Sequence, residues 1–140
     1  MSLDFEGKVA IVTGSGGGIG KGYALELAKR GAKVVVNDLG GAVDGSGGSL
    51  SAAEAVVQEI ESTGGEAMAN GANVCSEEDV KNMVQVTMEK WGRVDILINN
   101  AGILRDKSFA KMEWSDFCLL YTSDAADDMQ CVDLGGRRII

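Results

Sequence analysis

At 140 residues the chain allows one domain, and 45% hydrophobic against 24% charged residues is the balance of a globular protein rather than a disordered one. A net charge of −8 argues against a nucleic-acid backbone or an anionic membrane surface as partner, and reads as a solvated surface. The sequence holds no histidine, which excludes histidine-based catalysis and histidine metal sites in this chain.

Met1 to Gly7 is a short polar lead-in without the basic-then-apolar pattern of a signal peptide. No later apolar run reaches membrane-spanning length. Lys8 to Thr13 predicts a first strand, apolar on both faces as in a buried parallel strand. A glycine-dense run follows, Gly14-Ser15-Gly16-Gly17-Gly18-Ile19-Gly20. An amphipathic segment comes next, in which Ile19, Tyr23 and Leu27 recur every four residues with Ala24 and Ala28 beside them.

Strand, tight turn and helix in that order are the setting a dinucleotide-binding glycine pattern requires. Without those flanks the same glycines would describe a flexible loop. The first turn of a helix carries backbone N–H groups with no internal partner, and its dipole puts partial positive charge there. A pyrophosphate suits that end. Gly14 permits the turn out of the strand, Gly18 lets phosphates approach the backbone, and Gly20 lets the helix pack close to the strand.

Gly31 ends the first helix, and Lys33 to Asp38 predicts a second strand with three consecutive valines. Leu39 to Ser49, rich in glycine and serine, reads as a long loop. Ala53, Val56, Val57 and Ile60 then recur at i, i+3, i+4 and i+7 and predict a second helix, stopped at Gly64-Gly65. Glu66 to Asn70 is placed as a third strand by position more than by propensity. Ser76 is the expected N-cap of a third helix, with Asp79 three residues on in a variant of the capping box. Val80, Met83, Val84, Met88 and Trp91 form its apolar stripe. Gly92 ends it, and Val94 to Asn99 predicts a fourth strand. Cys75, Cys118 and Cys131 have no metal-ligand spacing, and an odd count gives no disulfide framework.

Strands alternating with helices imply parallel pairing through right-handed crossovers. The expected fold is α/β, the N-terminal half of a Rossmann-type doubly wound parallel sheet in strand order 3-2-1-4, truncated before its later strands. A ligand belongs at the carboxyl ends of the strands. Asp38 stands there, a little over the usual ~20 residues after the glycine turn. Its carboxylate can accept both hydroxyls of an adenosine ribose and would repel the extra phosphate of NADP. Ser15-Gly16-Gly17 offers that phosphate no cation, so NAD is the expected cofactor. A solvated strand-end Asp is the plainer alternative, as an ordinary turn is for Asn99-Asn100-Ala101-Gly102.

Taken together, Thr13-Gly14-x-x-x-Gly18-Ile19-Gly20, Asp38 and Asn99-Asn100-Ala101-Gly102 resemble the short-chain dehydrogenase/reductase family, from about Phe5 to Phe117. A narrower likeness lies in Val34-Val35-Val36-Asn37-Asp38-Leu39-Gly40-Gly41, in Gly47-Gly48-Ser49-Leu50 and in the run from Asn99 to Phe109. These resemble the (3R)-hydroxyacyl-CoA dehydrogenase units of peroxisomal multifunctional enzymes and their bacterial relatives. The resemblance implies NAD-dependent oxidation of a 3-hydroxyacyl thioester, or a similar secondary alcohol. It places Gly14, Ser15, Gly18, Ile19 and Gly20 at the pyrophosphate and Asp38 and Leu39 at the adenosine. Asn100, Ala101 and Gly102 would line the cofactor's other half. Asn73-Val74 sits where the family often has Asp-Val beside adenine. The complete enzyme would be a homo-oligomer acting on a small molecule, an acyl-CoA or other hydroxy compound. It would lie in the cytoplasm or, alternatively, in the peroxisomal matrix.

The family's catalytic serine and Tyr-x-x-x-Lys pair are not in this chain. Tyr121 is followed by Thr122, Ser123, Asp124 and Ala125, and no lysine follows Lys111. No catalytic residue is therefore assigned, and a non-catalytic dinucleotide-binding module is the rival reading. After Phe117 the text changes character. Residues 118–127 resemble a conceptual translation of a transposon-end sequencing adapter, and 132–140 its distal part. The expected division is a cofactor-binding portion over 1–117 and a non-native tail over 118–140. Losing the later strands would leave Val94 to Ile98 as an apolar sheet edge.

Overall fold

The structure is a computed structural model that describes residues 4–40, 50–102, 109–111, 113 and 114. The chain divides into two units, Met1–Ile103 and Leu104–Ile140. The second unit contributes one described turn of 3-10 helix, Phe109–Lys111. The expected tail over 118–140 and most of the Leu39 to Ser49 loop lie outside the described residues.

The first unit alternates strand and helix throughout: β1 (Val9–Thr13), α1 (Gly18–Lys29), β2 (Lys33–Asn37), α2 (Ser51–Ser62), β3 (Glu66–Asn70), α3 (Glu77–Trp91) and β4 (Ile96–Ile98). The strands form one parallel sheet in the order β3-β2-β1-β4. This is the expected Rossmann-type α/β arrangement. Its register places Ile11 beside both Val35 and Leu97, and Thr13 beside Asn37. The carboxyl ends of β1 and β2 are therefore level.

The period-2 geometry of a strand sends alternate side chains to opposite faces. Ala10, Val12, Val34 and Val36 pack with Ala24, Leu27, Ala28, Val56 and Ile60 on the face covered by α1 and α2. Ile11 and Val35 pack with Met83 on the α3 face. This explains why β1 and β2 read as unbroken apolar runs: both of their faces are covered. Burying one such valine is worth roughly 1.5–3 kcal/mol. Lys21 of α1 pairs with Glu59 of α2 at 2.8 Å across the outer surface.

The helix boundaries follow their signals. The Ser76 hydroxyl accepts the Asp79 N–H at 3.2 Å and so caps α3, while the Asp79 carboxylate accepts the Ser76 hydroxyl at 3.0 Å and the Asn73 N–H rather than the Ser76 N–H of a full capping box. Gly92 closes α3 in the left-handed conformation. At the foot of β4, Asp95 accepts the Val9 N–H at 2.9 Å and is gripped by Arg93 at 2.6 and 2.8 Å. The Asp95 N–H returns a bond to the Val9 carbonyl. This exchange sets the register between β4 and β1.

Three local expectations change. Of the expected apolar face of α1, Leu27, Ala24 and Ala28 are buried, but Gly20 takes the inner position in place of Ile19 and Tyr23. Ile19 is 73% exposed and Tyr23 47%. The reason is steric: the residue that packs closest to β1 is a glycine, so the helix turns its smallest face inward. On α3, Met83 and Thr87 are buried while Val84 and Met88 are exposed. The Thr87 hydroxyl donates to the Met83 carbonyl at 2.7 Å, which lets a polar residue sit on the inner face. Finally, β4 runs only from Ile96 to Ile98, shorter than the expected Val94 to Asn99. Among the described residues it pairs with β1 alone, and Leu97 is 57% exposed.

Candidate functional site

The carboxyl ends of β1, β2 and β4 and the start of α1 meet in one hydrogen-bonded assembly. Gly14 leaves β1 with φ +63°, a conformation that a side chain would strain. A Cβ there would also lie 2.8 Å from the Ala101 Cα. Gly20, six residues on, has no room either: a Cβ would overlap the Gly14 carbonyl oxygen and the Asn100 side-chain nitrogen. Two glycines thus let the helix start, the turn and the β4 end come into contact.

Thr13 and Asn100 hold that contact together. Asn100 donates its side-chain amide to the Thr13 carbonyl at 3.0 Å and to the Gly14 carbonyl at 2.9 Å. The backbone N–H groups of Asn100 and Ala101 both donate to the Thr13 hydroxyl, each at 3.0 Å. That hydroxyl itself donates to the Ile98 carbonyl at 3.3 Å. The Asn100 amide is therefore spent on the protein. Ala101 and Gly102 are exposed beside it.

Ser15 is fully buried. Its hydroxyl donates to the Val12 carbonyl at 2.7 Å and its N–H to the Asn37 carbonyl at 3.0 Å. Its side chain faces the core and braces the turn from beneath. Above it, α1 opens at Gly17 with no capping side chain and no acidic residue in its first turn. The contrast within the molecule is with α3, which is capped by the Ser76 side chain and carries Glu77, Glu78 and Asp79 in its first turn. Gly18 and Ile19 are exposed at the open end of α1.

Asp38 stands one residue past β2, half-buried. One carboxylate oxygen accepts the Gly16 N–H at 2.7 Å, and the other accepts the Gly40 N–H at 2.7 Å. An ionised carboxylate has about four acceptor positions, so one remains on each oxygen. The Asp38 N–H donates to the Asn70 carbonyl at 2.9 Å, continuing the β2–β3 ladder. Beyond it Leu39 is 47% exposed, and across the end of β3 Val74 is 40% exposed.

Asn73 and Val74 lie on the strip that joins β3 to α3. Asn37, itself buried, donates its side-chain amide to Asn70 and to the Ala72 carbonyl at 3.0 Å, fixing the start of this strip. Asp79 accepts the Asn73 N–H at 3.0 Å and fixes its end. A cavity of about 660 Å³ opens on the α3 side, lined by Asn70, Ala72, Asp79 and Asn82 among others. It does not extend to Asp38 or the glycine turn.

The predicted set thus falls into two groups along the strand ends. Gly14, Gly18, Ile19, Gly20, Asn100, Ala101 and Gly102 gather where β1, α1 and β4 meet. Asp38, Leu39, Asn73 and Val74 gather at the ends of β2 and β3, and the Asp38–Gly16 bond joins the two. Thr13, Gly16, Asn37 and Asp79 are supporting residues that the sequence reading did not single out as part of the site. Thr13 lay inside the glycine motif. Asn37 gave a weaker signal: a polar residue closing a valine run.

The short chain dehydrogenase family model matches residues 8–122. Peroxisomal multifunctional enzyme A of Dictyostelium discoideum is 61% identical over 121 residues, covering 86% of this chain and 27% of that protein. A short chain dehydrogenase from Mycobacterium avium superposes with a TM-score of 0.71 at 47% identity, over 84% of this chain and 41% of that one. A 7α-hydroxysteroid dehydrogenase, crystallised with NADH and 7-oxo glycochenodeoxycholic acid, superposes with a TM-score of 0.71 at 40% identity. That likeness covers 84% of this chain and 42% of the other. The chain therefore spans between about a quarter and two fifths of the proteins it matches.

Proposed function

The chain belongs to the short chain dehydrogenase family, and on that premise we propose that it is the NAD-binding portion of an oxidoreductase acting on a secondary alcohol. The neighbour crystallised with NADH supports a nicotinamide dinucleotide. The preference for NAD over NADP rests on Asp38. The contact that carries the reading is the 2.7 Å bond from the Gly16 N–H to the Asp38 carboxylate. It sets a ribose-reading carboxylate against the turn that would cradle the pyrophosphate.

In this reading the free N–H groups of the first turn of α1 receive the diphosphate. Asp38 uses its two remaining acceptor positions for the adenosine ribose hydroxyls, and a phosphate there meets its negative charge. The nearest cation on α1, Lys21, is already paired with Glu59 and does not offset that charge. Leu39 and Val74 offer apolar surface to the base. Ala101 and Gly102 leave space for the other half of the cofactor. The bound dinucleotide would supply hydride-transfer chemistry, and this chain would hold and orient it.

The substrate class follows the narrower sequence likeness: a 3-hydroxyacyl thioester, small and not macromolecular. The peroxisomal relative favours the peroxisomal matrix over the cytoplasm. Turnover in the family uses a Tyr-x-x-x-Lys pair, and no such pair occurs in this sequence. The 140-residue chain is accordingly proposed to bind without oxidising, and the complete enzyme to be a homo-oligomer. Isothermal titration with NAD and NADP tests this. Saturable binding of NAD, at least tenfold tighter than NADP, is the expected result. Equal affinity for both would defeat the role given to Asp38, and no binding of either would defeat the reading itself.

A further inference from the structure

Gly16 is a glycine for want of space alone. Its backbone is not in the left-handed region, so conformation does not demand glycine there. Yet a Cβ would lie 2.8 Å from the Ala52 Cβ, 2.8 Å from the Asp38 Oδ2 and 2.9 Å from the Asp38 carboxyl carbon. That same Oδ2 accepts the Gly16 N–H at 2.7 Å. Ala52 and Asp38 thus border one gap beside the glycine turn, too narrow for a methyl group. Ala52 belongs to α2 and lies 36 positions after Gly16, outside the glycine motif.

Neither border withdraws freely. Ala52 is in the first turn of α2, and that helix is anchored through Ala53, Val56 and Ile60, all buried against the sheet. Glu59 ties it to Lys21 of α1 at 2.8 Å as well. Asp38 is held by the Gly16 and Gly40 N–H groups, and its own N–H is fixed on the Asn70 carbonyl. A volume change at position 52 is therefore passed to the turn and from it to the carboxylate. Close-packed interiors transmit strain in this way.

We propose that Ala52 is a specificity-determining residue, acting from α2 through Gly16 on the Asp38 carboxylate. Its small side chain leaves the gap in which the Gly16 N–H and the carboxylate meet. A larger residue presses the turn onto the carboxylate, breaks the Gly16 bond and rotates the acceptor positions away from the ribose. NAD then loses its hydroxyl partners, while the extra phosphate of NADP faces less of the negative charge. Ala52 is a positioning residue, and its role rests on the function proposed above.

Isothermal titration with NAD and NADP tests this on the 140-residue chain, on Ala52→Val, Ala52→Gly and Gly16→Ala, and on the Gly16→Ala/Ala52→Gly double variant. Ala52→Val and Gly16→Ala should each narrow the preference for NAD by roughly tenfold. In the Ala52→Gly background, Gly16→Ala should cost at least about threefold less NAD affinity, because the vacated space receives the new methyl group. An equal cost in both backgrounds overturns the proposal. So does an Ala52→Val variant in which both dinucleotides weaken alike, the result of a merely structural role; the proposed function then still stands. An unsubstituted chain that binds neither dinucleotide overturns the proposed function and the role of Ala52 with it. Should Gly16→Ala fail to fold, Ala52→Val decides alone: position 52 is only half-buried, and an unchanged preference for NAD there is the contradicting result.

Discussion

Asn100 donates two hydrogen bonds to Thr13: its side-chain amide to the Thr13 carbonyl and its backbone N–H to the Thr13 hydroxyl. Between them they tie the end of β4 to the end of β1 and carry the glycine turn. Replacing Thr13 by valine keeps the shape and removes the acceptor. The N–H groups of Asn100 and Ala101 then lose their partner. An unsatisfied buried group costs about 1–3 kcal/mol. Thr13→Val should therefore lower the melting temperature by roughly 5 °C or more. It should also weaken dinucleotide binding, although the Thr13 hydroxyl contacts only protein. Thermal melts with and without NAD separate the two effects.

Gly20 meets the Gly14 carbonyl and the Asn100 amide with no space for a methyl group. Both neighbours are fixed, one as backbone and the other by two hydrogen bonds. Gly20→Ala must push α1 away from the turn. Overpacking of this kind costs about 1–3 kcal/mol. A larger loss is expected in binding, because the helix start itself is displaced. Gly22, inside α1 where an added Cβ meets nothing within 4 Å, provides the control: Gly22→Ala should raise stability by roughly 0.5–1 kcal/mol and leave binding essentially unchanged.

Much of this arrangement was legible in the sequence, for particular reasons. The alternation of strand and helix, the strand order, the Ser76 N-cap and the Gly92 stop all rest on local patterns. The face α1 buries did not follow from apolar spacing. Ile19 and Tyr23 have the period of a core stripe, yet Gly20 takes the inner position because contact distance, not hydrophobicity, decides that packing. The roles of Ser15 and Asn100 were hidden similarly. Their residue types suit a ligand, but their polar groups satisfy buried carbonyls first, a tertiary requirement that composition does not reveal. The pairing of Asp38 with Gly16 spans 22 positions and becomes visible only when β1 and β2 are level.

Asp38 bridges Gly16 and Gly40 while keeping one acceptor position on each oxygen. Asp38→Ala removes the ribose acceptors and the charge together. NAD affinity should fall by roughly tenfold or more, as for loss of hydrogen bonds to a charged group. NADP affinity should fall less, so that the preference between them narrows. Titration of both dinucleotides against the variant measures this. A preference for NAD that survives intact would place the discrimination elsewhere.

Asp95 is held below its ordinary value of 3.8, chiefly by the Arg93 guanidinium and next by the Val9 N–H. A carboxyl whose folded value is depressed adds stability that is present above its unfolded value and lost as pH falls through the folded one. Acid should therefore loosen β4 from β1. The melting temperature should be flat near neutrality and drop below about pH 4. Asp95→Asn should melt lower at pH 7 and show a shallower acid decline. Glu66 is lowered too, first by the Trp91 indole N–H and then by Lys33, and contributes to the same decline with the same sign. The Asp95→Asn profile is compared with that of the unsubstituted chain to isolate the β4 share.

The central claim is that a dinucleotide lies across the carboxyl ends of β1, β2 and β4, with its diphosphate at the start of α1. Amide chemical-shift mapping by NMR during NAD titration tests it most directly. The account expects the largest shifts at Gly16, Gly18, Ile19, Gly20 and Leu39, saturating together, with Gly31, Gly64 and Gly65 at the opposite end of the sheet unmoved. Saturable shifts centred on that opposite end, or none at all from a folded chain, would contradict it.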